Sequence, residues 1–215
     1  MSFIEYDIKP HTQKEIKDFL FNNDTDKKQY FFTNGQAKEY VDDYLKRIPE
    51  QISGVLFNIF AGNGWRVIIT DDNLEEKFGY NYEIYGVTDK EHKTIYVYAY
   101  PLAIEYGFGH ELGHLVDIYL GNISGSNEWN KCFHQHKQLP NIPYFYFTVG
   151  YGEISKEEYF ADSFLLYLND AELLRQCNTA VYNVFVKFFR NIHVLIEAVE
   201  SETADSNYRK TSTIY

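Results

Sequence analysis

Long apolar runs are missing from this sequence. No stretch approaches the roughly 20 residues that a membrane-spanning helix requires, so the chain is expected to be soluble. Cysteine is scarce: Cys132 and Cys177 are the two in 215 residues. Two are too few for a disulfide-dense scaffold, and no spacing pairs them, so both are read as free thiols. Basic charge is also short, with 20 Lys and Arg against 31 Asp and Glu and a net charge of −11. Without a positive field to release counterions, nucleic acid is excluded as a partner. The opening segment from Met1 to Asp7 has neither a basic n-region nor a following apolar stretch, so no Sec signal peptide is read there. The chain is therefore expected in the cytoplasm or exported by another route, or secreted if it is a trimmed mature form.

Aromatic residues are plentiful: 20 Tyr, 17 Phe and 2 Trp make 18% of the chain. That content, with mixed charge, belongs to a packed core and not to a disordered polymer. No repeat, low-complexity tract or linker divides the sequence, and its length suits one domain over residues 1–215. The expected class is α+β: a helical part over 1–62, a small sheet over 63–100, helices over 101–199 and a frayed tail over 200–215.

Local patterns fill in that outline. Thr12-Gln13-Lys14-Glu15 is a capping-box pattern opening an amphipathic run to Phe21. A second helical run after Gly35 puts Tyr40, Val41, Tyr44 and Leu45 on one face. A third spans Pro49 to Phe60, with Gly62 as its stop. Trp65–Thr70, Glu83–Val87 and Thr94–Tyr98 read as strands, the last two joined as a hairpin. Helical patterning resumes from Pro101 to Leu120, around Trp129, and from the capping-box pattern Ser155-Lys156-Glu157-Glu158 to about Leu168. It continues over Ala171–Val199 after an aromatic loop, Pro140–Tyr151.

The helix after the hairpin carries His110-Glu111-Leu112-Gly113-His114. Four residues are about 400° of helical rotation, so both imidazoles face one way, one turn apart, as two ligands of a single Zn²⁺. Glu111 is offset by about 100° and stands beside the metal, where it can take a proton from zinc-activated water and pass it to a leaving amine. A bare five-residue match also fits two core or solvated histidines. The surrounding Leu112, Leu115, Val116 and Ile118 favour the metal, because burying two imidazoles there without one is costly.

A catalytic zinc site wants a third protein ligand and an open position. Asp117 and Leu120 stand where a metzincin has Gly and His, which excludes that class. His134, His136, Glu153, Glu157 and Glu158 are the downstream candidates. Glu158 is favoured, in the first turn of a helix whose face also holds Ala161, Asp162 and Leu165. Two carboxylates amid apolar residues call for a cation opposite. Asp162 then accepts a hydrogen bond from a ligating histidine.

Taken together, His110-Glu-Leu-Gly-His-Leu-Val-Asp117, Tyr151-Gly152 and Glu158-Tyr159-Phe160-Ala161-Asp162-Ser163-Phe164 resemble the anthrax-lethal-factor-type zinc metallopeptidase domain. That family includes the Pro-Pro endopeptidases. Its pattern joins an HExGHxxD helix, a tyrosine seven residues before a glutamate ligand, and an E-[YF]-F-A-[ED]-x-F helix. Asn178-Thr179-Ala180 and Tyr182 resemble the family's final helix, and the likeness covers about residues 65–195. It implies a zincin-like fold with one Zn²⁺ per chain on His110, His114 and Glu158. It further implies Glu111 as general base and acid, Tyr151 as the phenol steadying the oxyanion, and a peptide or protein substrate. Asp162 departs from lethal factor, which carries the longer Glu.

Zincins commonly take a peptide as an added strand on a sheet edge. The hairpin Glu83–Tyr98 or the strand Trp65–Thr70 is the expected edge. Trp65 and the loop Tyr144-Phe145-Tyr146-Phe147 are the candidate platforms for a proline-rich segment. Two other readings stand beside this one. One is an ImmA/IrrE-type regulator-cleaving metalloprotease, and the other is a catalytically silent protein-binding module.

Overall fold

The computed structural model describes residues 3–9, 32–119, 121–136 and 155–190. The helix expected from Thr12, the aromatic loop Pro140–Tyr151, the extension to Val199 and the tail lie outside the described residues.

Four strands form one mixed sheet in the order β1-β2-β4-β3. They are β1 (Ile4–Asp7), β2 (Arg66–Thr70), β3 (Gly86–Asp89) and β4 (Thr94–Tyr98). β1 and β4 flank β2 in parallel, while β3 pairs antiparallel with β4, Thr88 opposite Ile95. The inner strand β4 is buried at all five positions, as its unbroken Thr-Ile-Tyr-Val-Tyr composition requires. Since β2 is internal, it offers no free edge to a peptide. On the side of β4 that edge falls to β3.

The helices follow their local signals with small shifts. Helix α1 (Asn34–Arg47) starts on a reciprocal capping box between Thr33 and Gln36 and buries Ala37, Val41 and Tyr44 at helical spacing. Helix α2 (Glu50–Asn63) runs past Gly62 and stops at Gly64, whose left-handed φ of 72° suits glycine. A short helix, α3 (Leu74–Phe78), fills a stretch where the sequence pattern had none. The expected Pro101–Leu120 helix is two pieces: a π-helical segment, Ala103–Phe108, and then α4 (Gly109–Tyr119). Arg47 of α1 holds the π-segment by a forked pair to Glu105 at 2.8 and 2.7 Å.

After α4 come α5 (Asn127–His136) and α6 (Lys156–Cys177). Asp170, with φ −154° and ψ 80°, breaks α6 near the end expected at Leu168. The last helical stretch, residues 179–190, starts afresh because Asn178 caps it, its Oδ1 accepting from the Val181 N–H at 3.2 Å. Trp129 ties this half together. Fully buried, it meets the rings of Tyr159, Phe160 and Phe185 at 5.0–5.9 Å and donates its indole N–H to the Lys156 carbonyl at 3.0 Å. That bond fixes the first turn of α6, from which Glu158 projects. Among the described residues no helix is long and apolar enough to cross a membrane.

Candidate metal centre

Helices α4 and α6 meet backbone to backbone. A methyl group placed on Gly113 would sit 2.7 Å from the Ala161 Cα and 3.1 Å from its carbonyl oxygen, so only glycine permits this approach. Around that contact, with His110 and Glu158 three residues before it and His114 and Asp162 one after, the two helices bring their polar side chains together. His110 Nε2 lies 3.1 Å from His114 Nε2 and 3.1 Å from Glu158 Oε2, and His114 Nε2 lies 3.3 Å from the same oxygen. The edge of a tetrahedron with about 2.0–2.1 Å arms is about 3.3 Å, so this triangle has the dimensions of three zinc ligands. The donor set suits zinc as well: two imidazoles and one carboxylate, with no thiol among them.

His110 Nδ1 is 2.7 Å from Asp162 Oδ1. Asp162 is a methylene shorter than Glu, and the close Gly113–Ala161 contact compensates for the lost reach. Burial alone would lower His110, but bonds to Asp162 and Glu158 outweigh it and hold the imidazole well above its ordinary range. Burial alone would raise Glu158, yet hydrogen bonds from His110 and His114 hold it well below the usual carboxylate range. Asp162 itself is raised, chiefly by burial.

The capping box expected at Ser155 is one-sided. Ser155 accepts from the Glu158 N–H at 3.2 Å, but the Glu158 carboxylate is turned to the histidines instead of closing the box. Glu157 stays exposed, as its offset predicts.

Glu111 is buried beside this cluster. Its Oε2 accepts from the Thr88 hydroxyl at 2.6 Å, and Gly86 leaves no room for a side chain, since a Cβ there would fall 2.8 Å from the Glu111 Cγ. Neither Thr88 nor Gly86 has a local signal in the sequence, because both act on Glu111 of a later element, α4. Tyr80 has none either. It is exposed, with its ring 5.2 Å from that of Tyr82, and its phenol is pushed up by partial desolvation and then by Tyr82, Glu111 and Glu158.

One expectation is revised. Trp65 is buried in the core and donates its indole N–H to the Tyr119 hydroxyl at 2.6 Å, so it is a packing residue and not a substrate platform. Asp117 accepts from the Ser124 N–H at 2.8 Å and the Ser124 hydroxyl at 2.5 Å, fastening the turn after α4. His134 is exposed on α5, outside the cluster. Tyr151 and Glu153 lie outside the described residues, as does the side chain of His136.

Fold and site define a class: an α+β chain with a small mixed sheet and a His-His-Glu group carried by two crossing helices. Among solved structures, the fold is similar to that of the Pro-Pro endopeptidase PPEP-2 from Paenibacillus alvei. The TM-score is 0.54 at 19% identity, with 73% of this chain and 92% of that chain covered. No family model matches the sequence, and no curated protein matches it either.

Proposed function

We propose that the protein is a zinc-dependent endopeptidase, with one zinc per chain held by His110, His114 and Glu158. The observation that carries this reading is the convergence of His110 Nε2, His114 Nε2 and Glu158 Oε2 within 3.1–3.3 Å, beside a buried Glu111. Zinc, when bound, supplies a Lewis acid and lowers the pKa of water from about 15.7 towards roughly 7. The chain's own groups do the rest. Asp162 fixes the ring orientation of His110 through Nδ1. Glu111 takes the proton of the attacking water and passes it to the leaving amine. Tyr151 donates to the oxyanion, a contribution of about 3 kcal/mol. The peptide lies along β3, next to Glu111, as an added strand. The neighbour's name as a Pro-Pro endopeptidase supports proline-rich sequences as the substrate class.

The test is incubation with a diverse peptide library and mass-spectrometric readout of the cuts. Cleavage between prolines is expected, cuts at other bonds remove the proline preference, and no cleavage by zinc-loaded protein refutes the enzyme. Protein purified without chelator is expected to contain about one zinc per chain. Zinc takes His110 as a neutral imidazole, whereas the bonds to Asp162 and Glu158 favour its protonated form, so zinc uptake is expected to release protons. Calorimetry in two buffers of different ionisation enthalpy reads this directly. Equal heats in both would show that no proton leaves.

A further inference from the structure

The edge strand β3 touches the catalytic helix with one set of residues, and those same residues offer their backbone outward. The Tyr98 N–H donates to the Tyr85 carbonyl at 3.1 Å, in register with the ladder that pairs Gly86 with Val97 and Thr88 with Ile95. Antiparallel pairs alternate between bonded and non-bonded, so Tyr85, Val87 and Asp89 spend their backbone groups on β4. Gly86 and Thr88 then turn their N–H and C=O groups away from β4. Among the described residues no other strand takes them. With a side-chain period of two, Gly86 and Thr88 also share a face. It is the Glu111 face: the Gly86 backbone closes against the Glu111 methylenes, and the Thr88 hydroxyl donates to Oε2 at 2.6 Å, with the Glu111 carbonyl 3.4 Å from the same hydroxyl.

We propose that Thr88 is the positioning residue for Glu111, joining the peptide-docking edge to the general base. Its backbone receives the substrate strand, and its side chain sets the carboxylate that works on that strand. This rests on the endopeptidase reading for its consequence, while the positioning itself is a structural property testable without turnover. A carboxylate with several rotamers loses alignment when the Thr88 hydroxyl goes, and misplacement by about 1 Å lowers rate sharply. Edge docking by Gly86 and Thr88 further means that their N–H groups, and not that of Val87, gain protection when a peptide binds.

Thr88→Val keeps the β-branched shape and removes the hydroxyl, and Thr88→Ser restores a donor. Thr88→Val is expected to lower kcat about tenfold or more, with KM within about twofold and zinc at one per chain, and Thr88→Ser to recover most of the loss. Crystal structures of the two variants should show the Glu111 carboxylate displaced in the first and in place in the second. Hydrogen exchange on Glu111→Gln protein with an uncleaved peptide should slow Gly86 and Thr88 selectively. An unmoved Glu111 in Thr88→Val overturns the proposal whether or not any peptide is cleaved. So does a loss of zinc or a change confined to KM, which would mark Thr88 as merely structural. If the wild-type protein cuts nothing, the endopeptidase reading fails, and the Glu111 position in Thr88→Val still decides the positioning role.

Discussion

Glu111→Gln is expected to abolish peptidase activity, lowering kcat by about 10²- to 10⁴-fold, while the protein stays folded and binds zinc at the same stoichiometry. The magnitude is that of a general acid–base group, about 3–5 kcal/mol of transition-state stabilisation. Geometry makes the substitution clean. Gln preserves the volume packed against Gly86, and its amide oxygen still accepts from the Thr88 hydroxyl that now lies 2.6 Å from Oε2. The candidate ligand atoms of His110, His114 and Glu158 are untouched, so metal content serves as the internal control. What disappears is the site for a proton between the attacking water and the leaving amine. Steady-state cleavage of one library-derived peptide, read beside metal analysis, checks the expectation. Full activity with zinc in place would refute the role of Glu111, and loss of zinc would make it structural.

The parts of the site that lie within one helix were readable from spacing alone. His110 and His114 face the same way because they are four residues apart, and Glu158 and Asp162 do for the same reason. Bringing those two pairs together needed the crossing of α4 and α6. Its signals, Gly113 and Ala161, are small residues without any chemistry of their own. Residues that act across the sheet stayed hidden. Thr88 matters through the register of a hairpin, and β1 exists because Ile4–Asp7 finds β2 some sixty residues away. A four-residue segment with such distant pairing carries little local signal. Trp65 shows the opposite error. A large aromatic opening a predicted strand can serve a groove or a core, and its burial together with the bond to the Tyr119 hydroxyl decides for the core. The π-helical segment before α4 was likewise invisible, since its apolar pattern passes for an ordinary helix.

The helix crossing itself yields the second large effect. Gly113→Ala is expected to destabilise the protein by about 1–3 kcal/mol, the range for overpacking a closely fitted interior. The added methyl would stand 2.7 Å from the Ala161 Cα and 3.2 Å from the Phe164 Cβ, so backbone and not a flexible side-chain tip must yield. The melting temperature should fall by about 2–4 °C per kcal/mol for a chain of this size. Function suffers more than stability, because separation of α4 from α6 stretches the 2.7 Å bond between His110 and the short Asp162 and opens the triangle with Glu158. Losing such an outer support costs a metal ligand about 10- to 100-fold in affinity, which competition with a chromogenic chelator measures. Gly54→Ala provides the opposite sign in the same chain. Gly54 is exposed inside α2 with nothing within 4 Å of where a methyl would go, so alanine there should stabilise by about 0.5–1 kcal/mol and leave zinc affinity alone. Equal behaviour of the two variants would mean that the α4–α6 contact does not set the metal geometry. Opposite shifts in melting temperature, with zinc weakened only in Gly113→Ala, would tie the glycine of the His-Glu-Leu-Gly-His segment to the placement of the third ligand.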